Sequence, residues 1–245
     1  MTRLLHAELI KLRTTRTFVA LTGCALAASL LLVILTASLS TIDEVDLRTL
    51  FASDLSSVFI PLLAAIAVTG EWRHRTIASS VLAAPDRVRM LAAKTLAYAL
   101  AGVVISLAVT ASIMLAGTLI VSGRGGTTLG LSVLADVLWR NLAVAALLGA
   151  LGVGVGTLLR NQIVAVTGLL IVGFAIEPML ATLVPEVAHF GPLVGAPSGI
   201  LDITSGSAGA LSAALAPALA ATVSIAWASA TFAAAAALLR RRDLV

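Results

Sequence analysis

The stretch Thr17–Leu39, TFVALTGCALAASLLLVILTASL, decides the fold. It runs 23 residues without one charged side chain. As a helix rising about 1.5 Å per residue it is long enough to cross the ~30 Å hydrocarbon core of a bilayer. The run is too long for the apolar region of a cleavable leader, and the sixteen residues before it are too many and too charged for a leader's start. It is therefore expected to be an uncleaved transmembrane helix.

Working outward, residues 1–16, MTRLLHAELIKLRTTR, form an amphipathic pattern. Leu5, Leu9 and Leu12 share one face, and Glu8 and Lys11 can pair at i, i+3 on another. The expected structure is a short helix lying along the membrane interface. Downstream, apolar runs predict further spans over 55–70, 95–121, 137–158, from Ile163 to Glu177 or beyond, and 213–239. Residues 178–210 are apolar but interrupted by Pro178, Pro185, Pro192 and Pro197. The fold class predicted is an all-α membrane protein with six transmembrane helices in one domain covering 1–245.

Composition supports that reading. The chain is 60% hydrophobic and 11% charged with a mean hydropathy of +1.09, where a soluble domain carries about 25% charged residues. The net charge is +4, but the cations lie in clusters between apolar runs and aromatics make up only 4%, so no basic stacking surface for nucleic acid is formed. Lys and Arg distribute as the positive-inside rule requires. With the N-terminus in the cytoplasm, 13 of the 16 cations fall on that side, and only Arg48, Arg124 and Arg140 fall outside. Both termini are thus predicted to be cytoplasmic. Heavy use of Ala, Arg and Gly points to a GC-rich bacterial genome and so to the bacterial cytoplasmic (inner) membrane.

No catalytic constellation stands out. His6, His74 and His189 are scattered, Cys24 is alone, and there is no phosphate-binding G-x-x-x-x-G-K-[ST] run. The chain is read as not an enzyme, with no metal and no cofactor of its own. Gly149, Gly152, Gly154 and Gly156 imitate a nucleotide loop but sit inside an apolar span, so Gly152 and Gly156, at i, i+4, are read as a helix-packing surface. Glu177 follows fourteen uncharged residues. Its first reading is a hydrated helix end near the outer interface, and its functional reading is substrate contact or gating. Asp136 and Arg140 are expected to pair at the start of the fourth span.

The most informative segment is 71–94, EWRHRTIASSVLAAPDRVRMLAAK. Trp72 is placed to anchor at headgroups, and Pro85-Asp86 reads as the start of a short cytoplasmic helix. The pattern Glu71…Thr76-Ile77, then Leu82…Pro85…Arg87…Leu91…Lys94, resembles the cytoplasmic loop of type-2 ATP-binding-cassette transporter permeases. Ala7–Arg16 is similar to that family's lead-in helix, and the closing Arg-Arg-Arg-Asp to its usual end. Arg75 stands where the family commonly has Gly.

The resemblance implies the permease subunit of an ATP-driven transporter. It implies a separate cytoplasmic ATPase subunit that binds ATP and Mg, and a second permease half, identical or different, so that the transporter is a homo- or heterodimer in the membrane lipid. It carries Glu71, Arg73, Thr76, Pro85, Arg87 and Lys94 into an ATPase-coupling loop, and it implies short re-entrant helices within the extracytoplasmic segment 178–210. Export of a drug, peptide or lipid-like amphipathic substrate is the expected activity. The alternative is a secondary transporter or channel using Glu177.

Overall fold

The computed structural model describes residues 2–39, 44–52, 54–73, 86–203 and 215–241. Among these, regular structure is helical throughout: α1 (Thr2–Thr14), α2 (Arg16–Leu39), α3 (Glu44–Ala52), α4 (Ser56–Arg73), α5 (Arg87–Gly123), α6 (Leu131–Leu159), α7 (Gln162–Ile171), a π-helical turn (Val172–Ile176), α8 (Glu177–Leu183), α9 (Pro185–Ala188), α10 (Gly195–Leu201) and α11 (Pro217–Arg241). Six stretches are long and apolar enough to cross a membrane: Arg16–Leu39, Leu47–Arg73, Arg87–Gly123, Leu131–Leu159, Gln162–Leu183 and Pro217–Arg240.

The second of these is a broken helix. Asp54 is non-helical between α3 and α4, and its Oδ1 accepts from the Ser56 amide at 3.1 Å, so the carboxylate caps the start of α4. The third departs from the short cytoplasmic helix and separate span predicted at the sequence level. Arg87–Gly123 is one continuous 37-residue helix. Asp86 caps it, accepting from the amides of Val88 and Arg89, and no proline interrupts it before Gly123. The Arg87–Lys94 segment is therefore the first two turns of the third span.

The fifth stretch carries the π-helical turn directly before Glu177-Pro178. Pro178 has no N–H to offer the carbonyl one turn back, and a widened turn relieves the clash of its ring with that carbonyl. The proline-broken region then forms α8, α9 and α10. All seven residues of α10 are buried, where it packs on α11 and α6. Residues 204–210 of the predicted 178–210 segment lie outside the described residues.

Helix α6 is the centre of the bundle, touching α3, α4, α5, α10 and α11. Small residues make that possible. A Cβ on Gly152 would lie 2.5 Å from the Pro61 carbonyl oxygen, and one on Gly156 would lie 3.0 Å from the Ala65 Cα. The backbones of α4 and α6 therefore approach without intervening side chains, which maximises dispersion contact between them. On the outside, Val19, Leu31, Leu35, Leu115, Leu119 and Ile163 are exposed, an apolar surface too extensive for water. The turn from α6 to α7 is made by Arg160 in the left-handed region, φ 52°, and by Asn161, whose Oδ1 caps the Ile163 and Val164 amides.

Candidate functional site

Four charged side chains from three elements meet at the end of the bundle that carries α1. Lys94 of α5 donates from Nζ to Glu8 Oε2 of α1 at 2.8 Å and to Glu71 Oε1 of α4 at 2.7 Å. Lys11 of α1 donates to Glu8 Oε1 at 2.9 Å and to Glu71 Oε1 at 3.3 Å. Two ammonium groups and two carboxylates cancel. The Lys94 side chain is 4% exposed and Glu8 9%, while Lys11 is 46% exposed. Desolvating such ions costs several kcal/mol each unless they are paired with good geometry, and here Lys94 is clasped between two carboxylates.

The sequence explains how this forms. Leu5 and Leu12 turn the apolar face of α1 onto the core, which brings Glu8 over α5. Glu71 follows the apolar run of α4, and Lys94 lies two turns into α5 on its buried side. Burial pushes the Glu8 carboxyl up, but the adjacent Lys94 ammonium, with help from Lys11, holds it below the ordinary value of 4.5. Burial pushes Lys11 down, but Glu8 and Glu71 hold it above its ordinary 10.5.

Around this quartet the same end of the bundle is laced together. The Arg87 guanidinium donates to the Leu239 carbonyl of α11 at 2.7 Å, so the start of α5 caps the end of α11. Arg160 stacks over the Trp72 ring at 4.1 Å. Arg73 donates to Gln162 Oε1 at 3.4 Å. The opposite end has its own ties. Arg48 meets Asp202 at 3.2 Å and Asp136 at 3.5 Å, and Arg140 meets Asp136 at 2.8 Å and donates to the Ile200 carbonyl. α1 and the end of α11 therefore share one end of the bundle.

Of the residues picked out at the sequence level, Glu71 and Lys94 come together in the quartet. Arg73 and Arg87 lie at the same end but contact α7 and α11 respectively. Thr76 and Pro85 lie outside the described residues. Gly152 and Gly156 face α4. Glu177 is not a hydrated helix end: it is 4% exposed. Its Oε1 accepts from the Leu193 amide at 2.9 Å, and its Oε2 accepts from the Val194 and Gly195 amides at 2.7 and 2.8 Å. Only glycine fits at 191, where a Cβ would collide with that carboxylate. The helix does not end at 177 but continues as α8, and the following chain folds back so that the amides leading into α10 close on the carboxylate.

Sequence reasoning missed two features. Glu8 and Lys11 were paired, but only as a surface couple. Asp54, which sequence reasoning does not single out, is 6% exposed in a polar cluster. Its Oδ1 accepts from the Ser56 amide and hydroxyl, and its Oδ2 from Thr110 of α5 at 2.5 Å and Asn141 of α6 at 3.5 Å. Asn141 also donates to the Phe51 carbonyl at 2.9 Å. An amide and a carboxylate inside apolar runs were the available signal. Among the described residues no group of His, Cys, Asp and Glu is arranged to hold a metal ion. The chain matches no known protein-family profile, and no curated protein matches it.

Proposed function

We propose that this chain is the membrane-spanning subunit of an ATP-driven transporter, an exporter of amphipathic cargo, with ATP and Mg handled by a separate cytoplasmic ATPase. The observation that carries the reading is the Glu8–Lys11–Glu71–Lys94 quartet. It locks the lead-in helix to the second and third spans at the segment whose motif resembles the type-2 permease coupling loop. A partner that moves α1 or the 71–94 segment would move both spans with it. In this reading the quartet end faces the cytoplasm of a bacterium across its inner membrane, α1 lies along the interface, and the chain beyond α8, with α9 and α10, is re-entrant from the outer side. A second copy or a related chain completes the pathway. Glu71, Arg73, Thr76, Pro85, Arg87 and Lys94 belong to the coupling region.

The test is copurification in detergent of the chain with an ATPase encoded beside it, comparing wild type with Arg73→Glu/Arg89→Glu. Both arginines are exposed, so the pair of substitutions alters the docking face and spares the core. A tenfold or greater loss of ATPase association with an unchanged Tm is expected. Absence of any associating ATPase overturns the proposal. The competing reading, a secondary transporter or channel using Glu177, requires that carboxylate to leave three amide donors in each cycle. Transport that survives without ATPase but fails in Glu177→Gln would favour it.

A further inference from the structure

Beside the Asp54 cluster lies a cavity of about 220 Å³ between α4, the π-helical turn and α10. An apolar cavity of about 150 Å³ already holds a benzene-sized ligand. Its walls are mostly apolar, with Leu62, Leu170, Phe174 and Leu193 among them, and Asp54, Ser57 and Ser198 supply its polar groups. Phe174, one of the lining residues, is largely exposed on the outside of the bundle, so the cavity reaches the apolar surface there.

Two independent observations single it out. First, each partner of the buried Asp54 carboxylate is neutral: Ser56, Thr110 and Asn141. Among the described residues no cation is ion-paired with it. A buried carboxyl with only neutral partners ordinarily meets a counter-charge, faces a cavity that admits one, or holds a proton until a cation arrives. In surroundings of low polarity its field acts over several ångströms, so an ammonium in the cavity need not displace the existing hydrogen bonds. Second, Gly173 and Phe174 of the π-helical turn line the same cavity. Such widened turns cluster at functional sites.

We propose that the cavity is a binding site for a cationic amphiphile, an amine with an apolar body that enters from the apolar surface past Phe174 and places its ammonium at the Asp54 end. The site is complete within one chain and does not depend on an ATPase, so it goes beyond the transporter reading. Loss of an ATPase partner would leave the following outcome unaffected.

The experiment is photocrosslinking of the full chain in phosphatidylcholine nanodiscs. The probes are a diazirine-bearing alkylamine and the alkanol of the same length, with adducts mapped by mass spectrometry. Residues 169–174 and 193–198 should be labelled by the amine about tenfold more than by the alkanol. Asp54→Asn should reduce amine labelling to the alkanol level. Gly173→Leu should abolish labelling by both, because a Cβ at Gly173 meets only Leu193 at 3.5 Å and a larger side chain can extend into the cavity without moving backbone. Equal labelling of wild type by amine and alkanol would overturn the proposal. So would amine labelling that persists in Asp54→Asn or in Gly173→Leu. Should Asp54→Asn not fold, the wild-type amine preference and its loss in Gly173→Leu decide the matter alone.

Discussion

Glu8 and Lys94, 86 residues apart in the chain, meet at 2.8 Å with both side chains nearly sealed from solvent. Because Lys94 also holds Glu71 at 2.7 Å, it neutralises two carboxylates that would otherwise repel. Lys94→Met should therefore cost about 3–5 kcal/mol, the range for removing one member of a buried ion pair. Adding Glu8→Gln to that variant should recover much of the loss, since Lys11 and Glu71 then remain as a balanced pair. Denaturant unfolding in detergent, followed by circular dichroism, measures both.

The same cluster sets a pH dependence. The folded-state pKa of Glu8 is lowered, so its contribution is complete above about 4.5 and is lost as pH falls below that value toward the folded pKa. The folded-state pKa of Lys11 is raised, so its contribution is complete below about 10.5 and is lost as pH rises beyond it. From these two groups, Tm should be flat between those limits and fall outside them. Glu8→Gln should shrink the acid limb, and an unchanged acid limb would refute the assignment.

Glu177 closes the loop that leads into α10. Glu177→Ala leaves three partly or fully buried amides without an acceptor, at a cost of about 1–3 kcal/mol for each donor left unsatisfied. Glu177→Gln keeps one acceptor oxygen and should lose less. Hydrogen exchange at Leu193, Val194 and Gly195 should speed up in both, most in the alanine variant. Unaltered protection there would mean that the carboxylate does not hold the loop.

Gly152→Ala should destabilise the contact between α4 and α6, because its Cβ would lie 2.5 Å from the Pro61 carbonyl oxygen and 2.8 Å from the Pro61 Cα. A cost of about 1–3 kcal/mol is typical of such overpacking. Gly168→Ala is the control: nothing lies within 4 Å of its added Cβ, and helix propensity alone makes it neutral to slightly favourable. Thermal unfolding of the two variants side by side distinguishes packing from propensity.

Much of this architecture can be read directly from the chain. Uncharged runs such as Thr17–Leu39 give the crossings, and the Arg160-Asn161 turn gives a reversal, because hydrophobic length and capping are local properties. The extent of Arg87–Gly123 was harder to read. Its basic first turns look like a loop until it is known that Lys94 faces carboxylates from α1 and α4 rather than water. The burial of Glu177 and the polar cluster at Asp54 escape a sequence reading for the same reason. Whether a carboxylate near a helix break meets solvent or a ring of donors depends on residues 56 positions away, as at Thr110, or 16 to 18 away, as at Leu193 to Gly195. No periodicity encodes such meetings.

The unbroken course of α5 has a mechanical consequence. From its Asp86 cap to Gly123 the helix is a rod of about 55 Å, roughly 25 Å longer than a bilayer core is thick. Lys94 sits near one end of it, and Thr110, bound to Asp54, near the middle. With no proline or non-helical joint between them, a tilt imposed at Lys94 cannot be absorbed along the way. It must swing Thr110 against Asp54 about 24 Å away, so the charged quartet and the wall of the amine cavity are two stations on a single lever arm.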